Sequence, residues 1–277
     1  MLFPNIKGGF PLIIVGEKIN TSLKGVTEAV QARDAQFVIN LAKYQQEFGA
    51  HYIDVNCGTL VDEEEEALPW LVETVQSAVD LPCCVDSPNP KALATGLKVH
   101  KGQALINSIT NENVRYAEVL PLVQEYQGKV VALVIDDEYG MPDTAELRIK
   151  VGNDLIQRLN ADGVENDRIY IDPLVQPISA TADMGVIVLE TIMGVAQANP
   201  GIHFMCGMSN VSYGLPKRGL LNATFMALCM MAGLDGAILD PGNKRMMATI
   251  RAAEALLNKD RRTKRYLAAF RNGLLDF

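Results

Sequence analysis

YIDVNCG, residues 52–58, decides how the rest of the chain is read. It is a short apolar, β-branched run of the kind that makes a strand, yet it closes on Asp54, Asn56 and a glycine. The same pattern recurs in LIIVGEKIN (12–20), CCVDS (83–87), ALINSIT (104–110), VVALVID (130–136), IYIDPL (169–174), HFMCGMSN (203–210) and GAILDP (236–241). Longer stretches with helical spacing separate these runs. AVQARDAQFVINLAKYQQEFG (29–49) puts Val30, Phe37, Leu41 and Phe48 on one face of a helix that Gly49 stops, and LLNATFMALCMMAG (220–233) ends in the same way. Eight alternations in 277 residues predict an α/β fold, a single (β/α)8 TIM barrel domain over residues 1–277. A doubly wound open sheet would need a glycine-rich phosphate turn after its first strand, and GEKINTS (16–22) is not one.

The ends of the predicted strands carry the chemistry. They read Glu17 and Asn20, Asp54 and Asn56, Asp86, Asn107, Asp136, Asp172, Asn210 and Asp240. Any one of these reads as a helix cap or turn residue, which is what Asp and Asn do between a strand and a helix. An acid or amide at all eight ends instead describes a polar mouth at the C-terminal face of a barrel, where such folds build their sites.

Bulk properties narrow the partners. The net charge of −8 and pI near 5.0 argue against nucleic acid, whose phosphates call for clustered Lys and Arg. The basic run KDRRTKR (259–265) reads as the solvated end of a terminal helix. No apolar run approaches the ~18 residues needed to cross a membrane, and the first twenty residues lack the pattern of a signal peptide. Five scattered cysteines (57, 83, 84, 206, 229) with no CxxC pair suit a reducing cytoplasm, with Cys83 and Cys84 buried on opposite faces of one strand.

Several chemistries compete for the mouth. Zinc hydrolysis needs paired imidazoles, whereas the three histidines (51, 100, 203) are unpaired, with His51 and His203 at strand starts. A Schiff-base aldolase needs a strand-end lysine, and Lys18 alternates away from Glu17. A magnesium-dependent, enolase-type lyase would use Asp54, Asp86 and Asp136, although Asn107 interrupts the series. DEEEE (62–66) reads as the solvated acidic first turn of a helix rather than a metal cluster. Finally, Asp86, Asn107 and Asp172 have the donors and acceptors for an amino-pyrimidinone ring: a carboxylate accepts two parallel N–H bonds, and an amide both gives and accepts.

GEKIN (16–20), IDVNCG (53–58), VDSPNPKAL (85–93), INSIT (106–110), IDPL (171–174) and MSNVSYG (208–214) together resemble the pterin-binding methyltransferases. That group includes the methyltetrahydrofolate:corrinoid protein methyltransferases, the folate module of cobalamin-dependent methionine synthase and, more distantly, dihydropteroate synthase. The resemblance runs from about residue 12 to 245. It implies a barrel that binds tetrahydrofolate or 5-methyltetrahydrofolate, commonly as a homodimer, and exchanges a methyl group with the corrinoid (cobalamin) of a partner protein, with no metal bound by this chain. By motif match Asp86, Asn107 and Asp172 hold the pterin. Glu17, Asn20, Asp54 and Asn56 line the same pocket, as does Ser209, and Asn210 contacts the reactive N5 side. A dihydropteroate synthase would carry a lysine near Asn210 and a basic and histidine pair after strand 8, where this chain reads LDPGN (239–243). Tyr213 stands where the resemblance leads one to expect glutamine. The direction of methyl transfer stays open.

Overall fold

A computed structural model describes residues 11–276, so residues 1–10 and 277 of the expected domain lie outside the described part. Eight strands run in parallel around a closed barrel: β1 (Ile13–Asn20), β2 (Tyr52–Asn56), β3 (Cys83–Asp86), β4 (Leu105–Thr110), β5 (Lys129–Leu133), β6 (Ile169–Asp172), β7 (His203–Gly207) and β8 (Gly236–Leu239), with β1 pairing to β8. The helices around them are α1 (Val26–Gln31), α2 (Ala35–Glu47), α3 (Glu64–Ala78), α4 (Pro90–Val99), α5 (Asn113–Tyr126), α6 (Ala145–Ala161), α7 (Met184–Ala198), α8 (Arg218–Ala232), α9 (Lys244–Leu256) and α10 (Lys264–Arg271). All eight expected strands are present. None of the described helices is long and apolar enough to cross a membrane.

Strand alternation builds two cores. Val15, Tyr52, Cys84, Leu105, Val131, Tyr170, Met205 and Ile238, one from each strand, point inward and plug the barrel. Their neighbours point outward against the helices in a larger apolar layer that includes Ile53, Cys83, Val85 and Ile106. Cys83 and Cys84 thus lie in different cores, and all five thiols are buried and free. The three imidazoles sit at the foot of the barrel. His51 Nδ1 accepts the Ile14 N–H at 3.0 Å, His100 Nε2 accepts the Cys83 N–H at 2.9 Å, and His203 Nδ1 contacts Asp235 Oδ2 at 2.6 Å.

Four expectations change. The helix expected over 29–49 is two helices, because Arg33 turns left-handed (φ 52°) and Asp34 restarts the chain by accepting the Phe37 N–H. A left-handed residue leaves the apolar spacing intact, so periodicity could not reveal the break. Asp136 does not end β5. It lies three residues beyond, its backbone paired with Gly140 and its Oδ1 accepting the Tyr139 N–H at 2.7 Å, which makes it a turn residue. The basic run 259–265 is not a helix end. Asp260 interrupts it and accepts the N–H groups of Arg265 and Tyr266 to start α10. Glu64, in the acidic run, is buried (2% exposed) instead of solvated.

Candidate active site

Above the plug, on the same inward line, the residues turn polar. Counting two residues on from each plug position gives Asp54, Asp86, Asn107, Leu133, Asp172, Gly207 and Asp240, with Glu17 at the same level of β1, where a bulge interrupts the count. Asn56 continues the line of Asp54. The parallel register sets Asn56 beside Asp86, and Asp86 beside Asn107, on three adjacent strands. Leu133 is the inward residue of β5 and pairs with Asp172 on β6, so an apolar strip separates Asn107 from Asp172. Asn56 Nδ2 donates to Asp86 Oδ2 at 2.8 Å, and its Oδ1 accepts the Gly58 N–H at 3.0 Å, which fixes the direction of the amide.

The loops after β3 and β4 are braced from outside the mouth. Ser87 Oγ donates to Glu64 Oε1 at 2.6 Å and accepts the Asn89 N–H at 2.9 Å, while Asn89 caps α4 in front of Pro90. Arg115 on α5 donates to the carbonyls of Ser87, Pro88 and Ser108 at 2.6–3.0 Å. These contacts hold Asp86 and Asn107 at a set separation. Neither Glu64 nor Arg115 was singled out from the sequence. Their polarity suits an exposed helix face, and only the closing of the barrel turns them inward.

Burial governs the charges. Asp54 is buried with Oδ1 unpaired, and burial, then the Asp86 charge, push it well above the usual carboxylate range. Asp86 is raised by burial too, but the Asn56 hydrogen bond and the Arg115 charge oppose the rise, so Asp86 is the member of the pair that ionises first. On the far side, burial pushes Asp172 up to about 7, opposed by the Leu174 N–H and the Arg148 charge. Glu17 is raised by burial and by Asp240.

β1 carries a bulge between Gly16 and Ile19, which breaks the alternation expected for Glu17 and Lys18. Lys18 Nζ meets Asp240 Oδ2 at 2.7 Å. Burial works against the ammonium, yet the bond and charge of Asp240 outweigh it and raise its pKa, so Lys18 stays protonated. That is the opposite of what an imine-forming lysine needs. Asn20 sits at the mouth, but its Oδ1 is engaged by the Ser22 N–H at 2.9 Å in the turn that leaves β1.

Ser209 and Asn210 are not on β7. They lie on a single 3-10 turn, Met208–Ser212, which Arg218 holds by donating to Ser209 O at 2.6 Å and Ser212 Oγ at 3.1 Å. Asn210 is exposed at the rim. A Cβ on Gly207 would lie 3.4 Å from Asn210 Nδ2, so the glycine leaves that amide room beside the inward line of β7. Tyr213 is exposed too, with the Arg218 guanidinium 5.9 Å from its ring. Among the described residues, no group of three or more His, Cys, Asp or Glu side chains is arranged to hold a metal ion.

Residues 16–240 match the family model described as pterin binding enzyme. A methylcorrinoid:tetrahydrofolate methyltransferase from Eubacterium limosum is 36% identical over 264 residues, covering 95% of this chain and 97% of that protein. Methionine synthase from Mycobacterium tuberculosis (strain ATCC 25618 / H37Rv) is 32% identical over 242 residues, which are 82% of this chain and 20% of that much longer protein. Among solved structures, dihydropteroate synthase from Xanthomonas albilineans in complex with 7,8-dihydropteroate superposes with a TM-score of 0.68 over 90% of this chain and 95% of that one. At 16% identity that likeness speaks for the barrel alone. With its polar mouth, its closed barrel and a family match spanning all eight strand ends, the chain belongs to the pterin binding enzymes.

Proposed function

We propose that the protein is a methyltransferase that moves a methyl group between N5 of tetrahydrofolate and the cobalt of a corrinoid carried by a separate protein. The observation that carries this reading is the inward polar line of Asn56, Asp86, Asn107 and Asp172 above an apolar plug. It is supported by near full-length similarity to a methylcorrinoid:tetrahydrofolate methyltransferase. That relative's name favours transfer toward tetrahydrofolate, the direction left open by the sequence.

The partner's corrinoid supplies or accepts the methyl group at its cobalt; this chain binds, orients and steadies the folate. Asp86 and Asp172 accept the ring's N–H groups from opposite sides, and Asn107 adds a donor and an acceptor. Glu17, Asp54, Asn56 and Ser209 line the pocket, and Asn20 shapes its rim. Asn210 is the catalytic group. The charge on N5 changes as it gains or releases the methyl, and an amide follows that change by donating or accepting without itself titrating. A contact that strengthens as charge develops lowers the barrier more than it tightens ground-state binding. Its exposed position leaves the reacting side of the folate open to a second protein.

We further propose a cytoplasmic homodimer with no nucleic-acid or membrane partner, on the strength of the net negative charge, the free buried thiols and an apolar face on α10. The function is tested by mixing the enzyme with tetrahydrofolate and a methylated corrinoid protein. 5-Methyltetrahydrofolate is expected at a rate unchanged by EDTA. A folate-independent activity that EDTA abolishes would favour the magnesium lyase.

A further inference from the structure

Arg148, on α6, is the largest fully buried side chain among the described residues, with 0% of it exposed. None of the described carboxylates pairs with it at ion-pair distance. Its guanidinium instead meets neutral acceptors: Nε donates to Pro142 O at 2.8 Å, and Nη1 to Pro173 O at 2.9 Å and Leu174 O at 2.8 Å. Met184 Sδ at 3.4 Å and Gln176 Oε1 at 3.5 Å complete the shell.

Pro173 and Leu174 are the two residues that follow Asp172. Leu174 adopts φ +61°, a region that leucine rarely enters unless its surroundings enforce it. Its N–H donates to Asp172 Oδ1 at 2.8 Å, and its carbonyl accepts from Arg148. The turn is therefore held from within by the carboxylate and from behind by the guanidinium. Binding two carbonyls needs only a neutral donor, and a buried charge is costly unless it is offset. Of the acidic groups that act on Arg148, Asp172 comes first and Asp143 second.

We infer that Arg148 is a positioning residue for Asp172: its fork fixes the turn that aims the carboxylate into the pocket, and its charge opposes the protonation that burial favours. The inference rests on the assignment of Asp172 to the folate ring. The titratable groups that interact with Asp172 are Arg148 from α6 and Cys206 from β7, whose thiol burial and the Asp172 charge hold neutral. β5 presents Leu133, which does not titrate.

The test is the affinity for 5-methyltetrahydrofolate between about pH 5.5 and 9, measured for the intact protein, R148Q, R148K and D172N. In R148Q the midpoint below which binding weakens should rise by about one pH unit or more, with affinity near pH 9 recovering to within about threefold of the intact protein. R148K keeps the charge but not the fork. It should keep the midpoint and lose affinity by a similar factor at every pH. An unmoved midpoint in R148Q, or a loss there that is the same at all pH values, would overturn the proposal. Should R148Q fail to fold, R148K decides alone, and intact affinity in that variant overturns it. D172N distinguishes the underlying assignment: full affinity in D172N would remove Asp172 from the ring, whatever Arg148 does.

Discussion

At the scale of the residue, the mouth is a set of groups whose charge is settled by burial. Asp172 is the clearest case. Its carboxyl rises from an ordinary 3.8 to about 7, so it is partly protonated in the empty pocket at neutral pH. Ring N–H groups need the carboxylate, so folate affinity should fall as the pH drops below about 7, by up to about tenfold per unit. A titration followed by folate fluorescence checks this, and D172N should bind weakly with no step. The sign for folding is the reverse: the folded protein holds this proton more tightly than the unfolded chain. The contribution of Asp172 to stability therefore declines as the pH rises from 3.8 to about 7. Asp86, Asn107 and Asp172 were legible in the sequence because each follows an apolar inward residue by two. Arg148 was not, although it shares the buried stripe of α6 with Val151, Leu155 and Leu159. An arginine on an apolar stripe reads as an interruption, and nothing local shows the two carbonyls it meets on another element.

At the scale of the element, strands were easier to read than helix breaks. Short apolar, β-branched runs stand out wherever a parallel strand is buried on both faces, and they located all eight strands. The break between α1 and α2 depends on one left-handed residue, Arg33, which leaves the apolar spacing intact. The burial of Glu64 depends on Ser87, a contact between separate elements, so the acidic run alone looked solvated. α6 matters most for the site because it carries Arg148. Its N-cap is Thr144, whose Oγ1 accepts the Leu147 N–H at 3.3 Å. T144A should cost about 1 kcal/mol in urea unfolding, with the slope unchanged. Glu64→Ala would leave the buried Ser87 hydroxyl only its longer contact to Asn89 O at 3.1 Å and should cost about 1 kcal/mol, read from the same experiment. Folate affinity should fall with it, because Ser87 directly follows Asp86.

At the scale of the whole molecule, the barrel separates its tasks: apolar plug in the middle, imidazole and carboxylate contacts pinning the foot, acids and amides at the mouth. An apolar stretch at near-helical spacing, such as that from Tyr266 to Leu274, ordinarily packs against its own barrel. Instead Leu267, Phe270 and Leu274 are 44%, 67% and 43% exposed, and Ala269 is the buried member of α10. Near-helical spacing defines a face but not what covers it. If that face joins two copies, Phe270→Asp should convert the dimer to monomer in sedimentation velocity while leaving the thermal unfolding of the barrel cooperative. Catalysis is assigned to the rim of the mouth, and Asn210→Ala probes that assignment. Methyl transfer between a corrinoid protein and tetrahydrofolate is measured in a single turnover, beside folate binding to the same variant. Transfer should slow by about 100-fold or more while folate affinity stays within about threefold of the intact enzyme. Equal losses in rate and affinity, or an unchanged rate, would contradict that assignment.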